Sequence, residues 1–150
     1  MTNLNELCPV CGEGRLSEQA GQNSVQYKGV EENIPLYFSV CDYCEMEQGD
    51  AIQTRQNKRE MIAFKKRIDG LLSGNEIKKF RNVYGVTQAE VSEILGGGPV
   101  AFSKYEKNDV SQSGSMDNLI RVCKEFPEVF EWLAARANVE INEVKAMEIC

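Results

Sequence analysis

Two cysteine pairs constrain this chain more than any other feature. Cys8-Pro-Val-Cys11 and Cys41-Asp-Tyr-Cys44 are separated by 29 residues. Each pair sets two sulfurs on one side of a tight turn, so two pairs can close a tetrahedral four-thiolate site around one ion. The chain has six cysteines and no histidine. Any metal must therefore be held by thiolates or carboxylates, and chemistry that needs a histidine base or triad is excluded. A closed four-cysteine site offers no open coordination position, so the chain is not expected to be an enzyme. Between the pairs, 24–29 and 34–41 are strand-like runs carrying Val, Tyr and Phe. Gly12 and Gly14 ease the turn behind the first pair. The expected N-terminal domain, residues 1–50, is a zinc ribbon of knuckle, hairpin and knuckle. Zinc held by Cys8, Cys11, Cys41 and Cys44 is the expected cofactor, and a rubredoxin-like iron site, which uses the same ligands, stays open. A thioredoxin-like redox pair does not fit, because there are two pairs and no βαβ pattern.

In a reducing compartment, paired cysteines bind metal more often than they form disulfides. The first residues, MTNLNELCPVCGEG, lack the basic start and apolar core of a secretory signal. No apolar run approaches a membrane span. The expectation is a cytoplasmic protein without a membrane partner. Of the remaining cysteines, Cys123 falls on the apolar stripe Met116, Leu119, Ile120, Cys123 and is expected in a core. Cys150 is expected as a free, mobile thiol at the end of the sequence.

The formal net charge is -6, which alone argues against a nucleic-acid partner. Its distribution argues otherwise. Residues 1–50 carry nine acids against Arg15 and Lys28, a net of -7, whereas 51–74 carry six bases against Glu60 and Asp69, a net of +4. An acidic start and a basic middle imply two surfaces with different partners. The middle segment, 51–74, reads as a basic linker helix and hinge. Met61, Phe64, Ile68 and Leu71 or Leu72 recur at helical spacing, and Ser73-Gly74-Asn75 closes it.

Residues 75–137 read as an all-α domain of five helices. The first spans 76–83. Thr87-Gln-Ala-Glu90 is a capping box that starts a helix over 88–95. Gly96-Gly97-Gly98 then precedes a short helix over 99–107, with Pro99 in the first position and Phe102 and Tyr105 facing inward. Helix, glycine turn and helix form the helix-turn-helix plan, in which the second helix enters a major groove. Val100, Ser103 and Lys104 lie on the expected DNA face, with Lys107 beside them and Lys65 as a phosphate contact from the basic helix. Helices over 115–126 and from Pro127 to about residue 137 complete the bundle and offer a dimer face. The tail, 138–150, is ambiguous: Ile141 and Val144 suit a helix, Val139 and Ile141 a strand.

The order CPVC…CDYC, basic linker, VTQAEVSEILGGGPVAFSKYEKN resembles the MqsA family, the YgiT-type zinc-finger/helix-turn-helix antitoxins with an Xre/Cro-like DNA-binding domain. The resemblance covers residues 7 to 137. It implies an α+β protein in which a zinc domain binds a protein toxin, commonly a basic mRNA-cleaving ribonuclease. It also implies a homodimer whose C-terminal domain binds a palindrome in its own promoter as a repressor. Cys8, Cys11, Cys41 and Cys44 match the family's zinc ligands, and Gln88 matches a phosphate-contacting glutamine. Lys104 stands where the family reads a base with arginine, and Val100 where it uses asparagine. Valine can touch a thymine methyl but cannot pair with adenine, so a changed DNA target is expected. Two rival readings rest on the same residues: a stand-alone zinc-containing regulator, as from a mobile element, and a redox-responsive regulator in which the four thiols are the switch.

Overall fold

The computed structural model describes residues 6–142, which fold as an antiparallel sheet with four neighbouring cysteines followed by a helical region, an α+β chain. It divides into two compact units, Met1–Ile68 and Asp69–Cys150. Among the described residues no helix is long and apolar enough to cross a membrane.

The first unit is built on a long hairpin. Strand β1 (Leu16–Tyr27) pairs antiparallel with β2 (Val30–Cys41), from Leu16 opposite Cys41 to Tyr27 opposite Val30. The two residues between them, Lys28 (φ 49°) and Gly29 (φ 78°), are both left-handed, as in the type I′ turn that matches strand twist. Gly29 therefore belongs to the turn and not to a strand, and β1 begins eight residues before the expected run. Its first half, Leu-Ser-Glu-Gln-Ala-Gly, is mostly exposed, so no alternation of apolar residues marks it. A short strand β3 (Glu47–Gln48) pairs with Ser39 and Val40 on the far edge of β2.

Helix α1 (Ala51–Asp69) is more than the expected linker. Phe64 is fully buried against Val25 and Ile34, with Tyr27, Met61 and Ile68 around them. Polar contacts fix its register on the sheet. The Asn57 amide accepts from the Tyr37 N–H (2.8 Å) and donates to the Tyr37 carbonyl (2.9 Å), standing in for a neighbouring strand. The buried Gln53 amide donates to the Ser39 hydroxyl at 2.8 Å. Asp50 and Gln53 cap the helix start reciprocally, each side chain accepting from the other's backbone N–H. The apolar spacing that runs on to Leu72 in the sequence is divided in the fold. The helix ends at Asp69, Gly70 is left-handed (φ 70°), and Leu72 is buried in the core of the second unit.

The second unit packs α2 (Gly74–Val83), α3 (Gln88–Leu95), α4 (Ala101–Glu106), α5 (Gly114–Glu125) and α6 (Pro127–Arg136) around Ile77, Phe80, Tyr84, Phe102, Ile120 and Phe130. Phe80, Tyr84 and Phe130 form a three-ring cluster with centroids 4.2–5.3 Å apart. Four of these five helix starts carry their own signal, and α4 has no side-chain cap. Ser73 with Glu76, and Thr87 with Glu90, close capping boxes, Ser113 caps α5, and Pro127 opens α6. Ser73 and Gly74, expected in a hinge, thus start α2. Buried Asp117 accepts from the Leu72 N–H, the Gln112 amide and Arg121. Burial pushes its carboxyl up, but these donors hold it below the usual carboxylate range. Cys123 is fully buried, and burial lifts its thiol to about 11. Beyond α6, Val139 and Ile141 pack on this core without forming a helix or strand, and the Asn142 N–H donates to the Tyr84 carbonyl. Val144 and Cys150 lie outside the described residues.

Candidate metal centre and nucleic-acid interface

The two knuckles share one local plan. After Cys8 the Gly12 N–H returns to the Cys8 carbonyl at 2.8 Å; after Cys41 the Glu45 N–H returns to the Cys41 carbonyl at 3.1 Å. Gly12 (φ 71°) and Glu45 (φ 59°) both take the left-handed conformation that lets the chain turn back. The register of β1 against β2 sets Leu16 opposite Cys41 and so brings the first knuckle, just ahead of β1, to the second. All four sulfurs lie within 4.8 Å of one another. Cys8 Sγ is 3.8 Å from Cys44 Sγ, and Cys11 Sγ is 3.6 Å from Cys41 Sγ. A tetrahedral ion with bonds of ~2.3 Å to sulfur sets the sulfurs ~3.8 Å apart, so the donor set fits one such ion.

Backbone N–H groups of Gly14, Tyr43 and Cys44 point at the sulfurs of Cys11 and Cys41, and the Gln48 amide points at Cys8, each at 3.4 Å. Such donors stabilise thiolate. The N–H of Cys11, foremost among several donors, lowers Cys8 to about 6. At Cys44 the Met46 N–H pulls the same way, but lost hydration and the other three thiols lift it to about 12. Four thiolates cannot share this space without a cation at its centre.

Gly14 has a role that the sequence did not suggest. A Cβ there would collide with Cys41 Sγ and lie 2.7 Å from Tyr43 Cβ and 2.8 Å from Asp42 Oδ1. It is kept for space against a metal ligand, not for a turn. Gly14→Ala is expected to cut metal affinity at least tenfold, within the 10–100-fold range seen when residues that support metal ligands are changed. A competition titration with a chromophoric chelator measures it, and wild-type affinity would show that Cys41 can move aside.

In the second unit the glycines produce a sharp reversal. Gly96, Gly97 and Gly98 have φ of 95°, 101° and 92°, a run that residues with a Cβ rarely adopt. The helix expected over 99–107 is shorter, Ala101–Glu106. Pro99 and Val100 instead form a turn closed by the Ala101 N–H on the Gly98 carbonyl, with Pro99 at the position whose φ it presets. A six-residue helix is not stable alone. Buried Ala101 and Phe102 hold this one, as does the Phe102–Tyr105 edge contact at 5.3 Å. At its end, Arg81 grips Glu106 with two bonds of 2.9 Å and donates a third to the Val86 carbonyl.

Val100 is therefore the residue before α4, and it is 58% exposed. Ser103 is half-buried on α4, while Lys104 and Lys107 are exposed. Gln88, the first residue of α3, lines a shallow groove with Lys107. Asn75, Lys78 and Thr87 share that groove. The sequence reading missed them; their signal was a lysine in the first turns of α2 beside the Thr87 cap. Glu106 also borders the groove, but its charge is answered by Arg81. Lys65 is exposed on α1, in the other unit, with Nζ 5.3 Å from the Tyr27 ring centroid, a cation–π contact. The structure thus gathers Gln88, Val100, Ser103, Lys104 and Lys107 in one unit and leaves Lys65 on the hairpin's helix.

The family model described as "Antitoxin component of bacterial toxin-antitoxin system, MqsA" matches residues 6–134. The chain is also 30% identical over 129 residues to Antitoxin MqsA of Escherichia coli (strain K12), covering 81% of this chain and 95% of that protein. With four cysteines spaced for one metal ion and a helical unit behind them, this chain belongs to the MqsA family, the antitoxin components of bacterial toxin-antitoxin systems.

Proposed function

We propose that this protein is a non-enzymatic antitoxin and autorepressor. The first unit is stabilised by zinc on Cys8, Cys11, Cys41 and Cys44 and neutralises a protein toxin, an mRNA-cleaving ribonuclease. The second unit binds a palindrome in the operon promoter as a homodimer. The observation that carries the DNA-binding half is the left-handed glycine turn that sets Val100, Ser103 and Lys104 on and just ahead of a separate short helix. Gln88, Lys107 and Lys78 border a groove beside it, where backbone phosphates add affinity. Val122 on α5, Phe126 between the two helices and Trp132 on α6 are exposed and offer the apolar surface for pairing two copies across half-sites.

The test is binding of the purified protein to DNA from just upstream of its own gene, titrated with salt and compared with scrambled DNA of equal length. Preference for the upstream DNA with a steep salt slope is expected. Equal affinity for both would overturn the autorepressor reading. Within the same assay, Lys104→Ala is expected to cost about 1–3 kcal/mol on the preferred site and little on scrambled DNA, as loss of a base contact does. An equal loss on both would move Lys104 to the phosphate contacts.

A further inference from the structure

The first unit carries its apolar core and its four most exposed large apolar side chains at opposite ends, while Val30 beside the hairpin turn and Ile52 on α1 are less exposed, at 40% and 47%. Val25, Ile34 and Phe64 lie toward the hairpin turn. Cys41 is seven residues along β2 from Ile34, about 23 Å at strand rise. At that far end Leu7, Val10, Tyr43 and Met46 are each between 50% and 67% exposed. Every one of them lies within two residues of a ligand cysteine. Because the four sulfurs sit within 4.8 Å of one another, these side chains are gathered around one centre. Glu6, Glu13, Asp42, Glu45 and Glu47, all exposed, are interleaved with them.

A pocket of about 220 Å³ opens beside this face. Leu7, Pro9 and Leu16 supply apolar wall, and Glu6, Glu18 and Asp50 supply carboxylates. A pocket lined by both apolar side chains and carboxylates suits a long aliphatic stem with a cationic head. A solvated acidic surface needs none of this apolar area, and four large apolar side chains gathered around one centre are the mark of an interface.

We propose that the metal knuckles and this pocket form the docking face for a basic protein. The partner covers Leu7, Val10, Tyr43 and Met46 with an apolar patch. It inserts one lysine or arginine along Leu7, Pro9 and Leu16 toward Glu6, Glu18 and Asp50. The net charge of -7 over residues 1–50 selects a cationic partner and speeds its encounter. The inference rests on the antitoxin reading above and locates its protein-binding surface on the knuckle end.

The probe is the purified product of the reading frame adjacent to this protein's gene, titrated calorimetrically with the full-length, zinc-loaded chain. Tyr43→Ser combined with Met46→Ser is expected to raise Kd tenfold or more, as truncation of central interface anchors does. Glu18→Lys, which touches neither a ligand nor the core, is expected to weaken binding at low salt and to lose that effect at high salt. Val110→Ser, at an exposed apolar position in the second unit, leaves Kd unchanged. Zinc content and circular dichroism report whether each variant remains folded, and Glu18→Lys decides if the knuckle variant does not. Wild-type binding with both knuckle-end variants unaffected would overturn the docking face alone. No binding by the wild type would overturn the antitoxin reading with it.

Discussion

Cys41→Ser is expected to abolish the folded first unit while the second still melts as one cooperative transition. Cys41 is 1% exposed, ends β2, and its sulfur accepts from the N–H groups of Tyr43 and Cys44. Losing it removes one of four ligands and the order of the second knuckle. Binding free energy at a structural four-ligand zinc site is folding free energy, roughly 10–16 kcal/mol in apparent terms at neutral pH. The buried core left to the unit is Val25, Ile34 and Phe64, each contributing roughly 1.5–3 kcal/mol. That cannot offset the ordering entropy of about 1–2 kcal/mol per residue over so long a segment. Two melting transitions in the wild type should become one, with no bound zinc. A chelator should produce the same trace, reversed by added zinc. A variant that keeps its strand signal without metal, or loses both transitions together, would refute this account.

Arg81→Met has the second large effect, in the other unit. The Glu106 side chain is 3% exposed and that of its partner Arg81 13%. Arg81 uses Nε and both terminal nitrogens, two toward Glu106 and one toward the Val86 carbonyl. Removing one member of a buried pair leaves an uncompensated charge and costs roughly 3–5 kcal/mol. Small domains have roughly 5–15 kcal/mol in total. The C-terminal transition should fall by tens of degrees at the low end of that range, and DNA binding should go with it, because Glu106 ends α4. Replacing both members, Arg81→Met with Glu106→Leu, should restore most of the stability, since apolar substitutes for a buried pair are often neutral. If the double variant is no more stable than Arg81→Met, the bond to Val86 or the shape of the site governs instead.

Much of this could be read from the residues alone, and the successes share a cause. Cysteine spacing, the Thr87–Glu90 box and the inward stripe of α5 are short-range patterns, and they recur in the fold. What escaped depends on partners distant in sequence. Half of β1 is polar and exposed, held by pairing with β2 and not by burial. The spacing of α1 looked continuous to Leu72, yet Phe64 and Leu72 serve different cores. Pro99 suited a helix start, but three left-handed glycines ahead of it make a turn instead. Gly14 looked like a turn residue until Cys41, 27 positions away, was found where its side chain would go. Arg81 and Glu106, 25 positions apart, gave no signal in sequence.

The division at Ile68 and Asp69 also has a temporal consequence. Everything the first unit needs, ligands, hairpin and helix, is encoded before residue 70. A chain made from its N-terminus can fold one domain while the next is still being translated. Once the ribosome has released those residues, the thiol cage can close on its ion before the second core exists. A nascent chain would present its knuckle end before its helical unit was complete. On the proposed function, toxin capture would then precede repression within the life of each molecule.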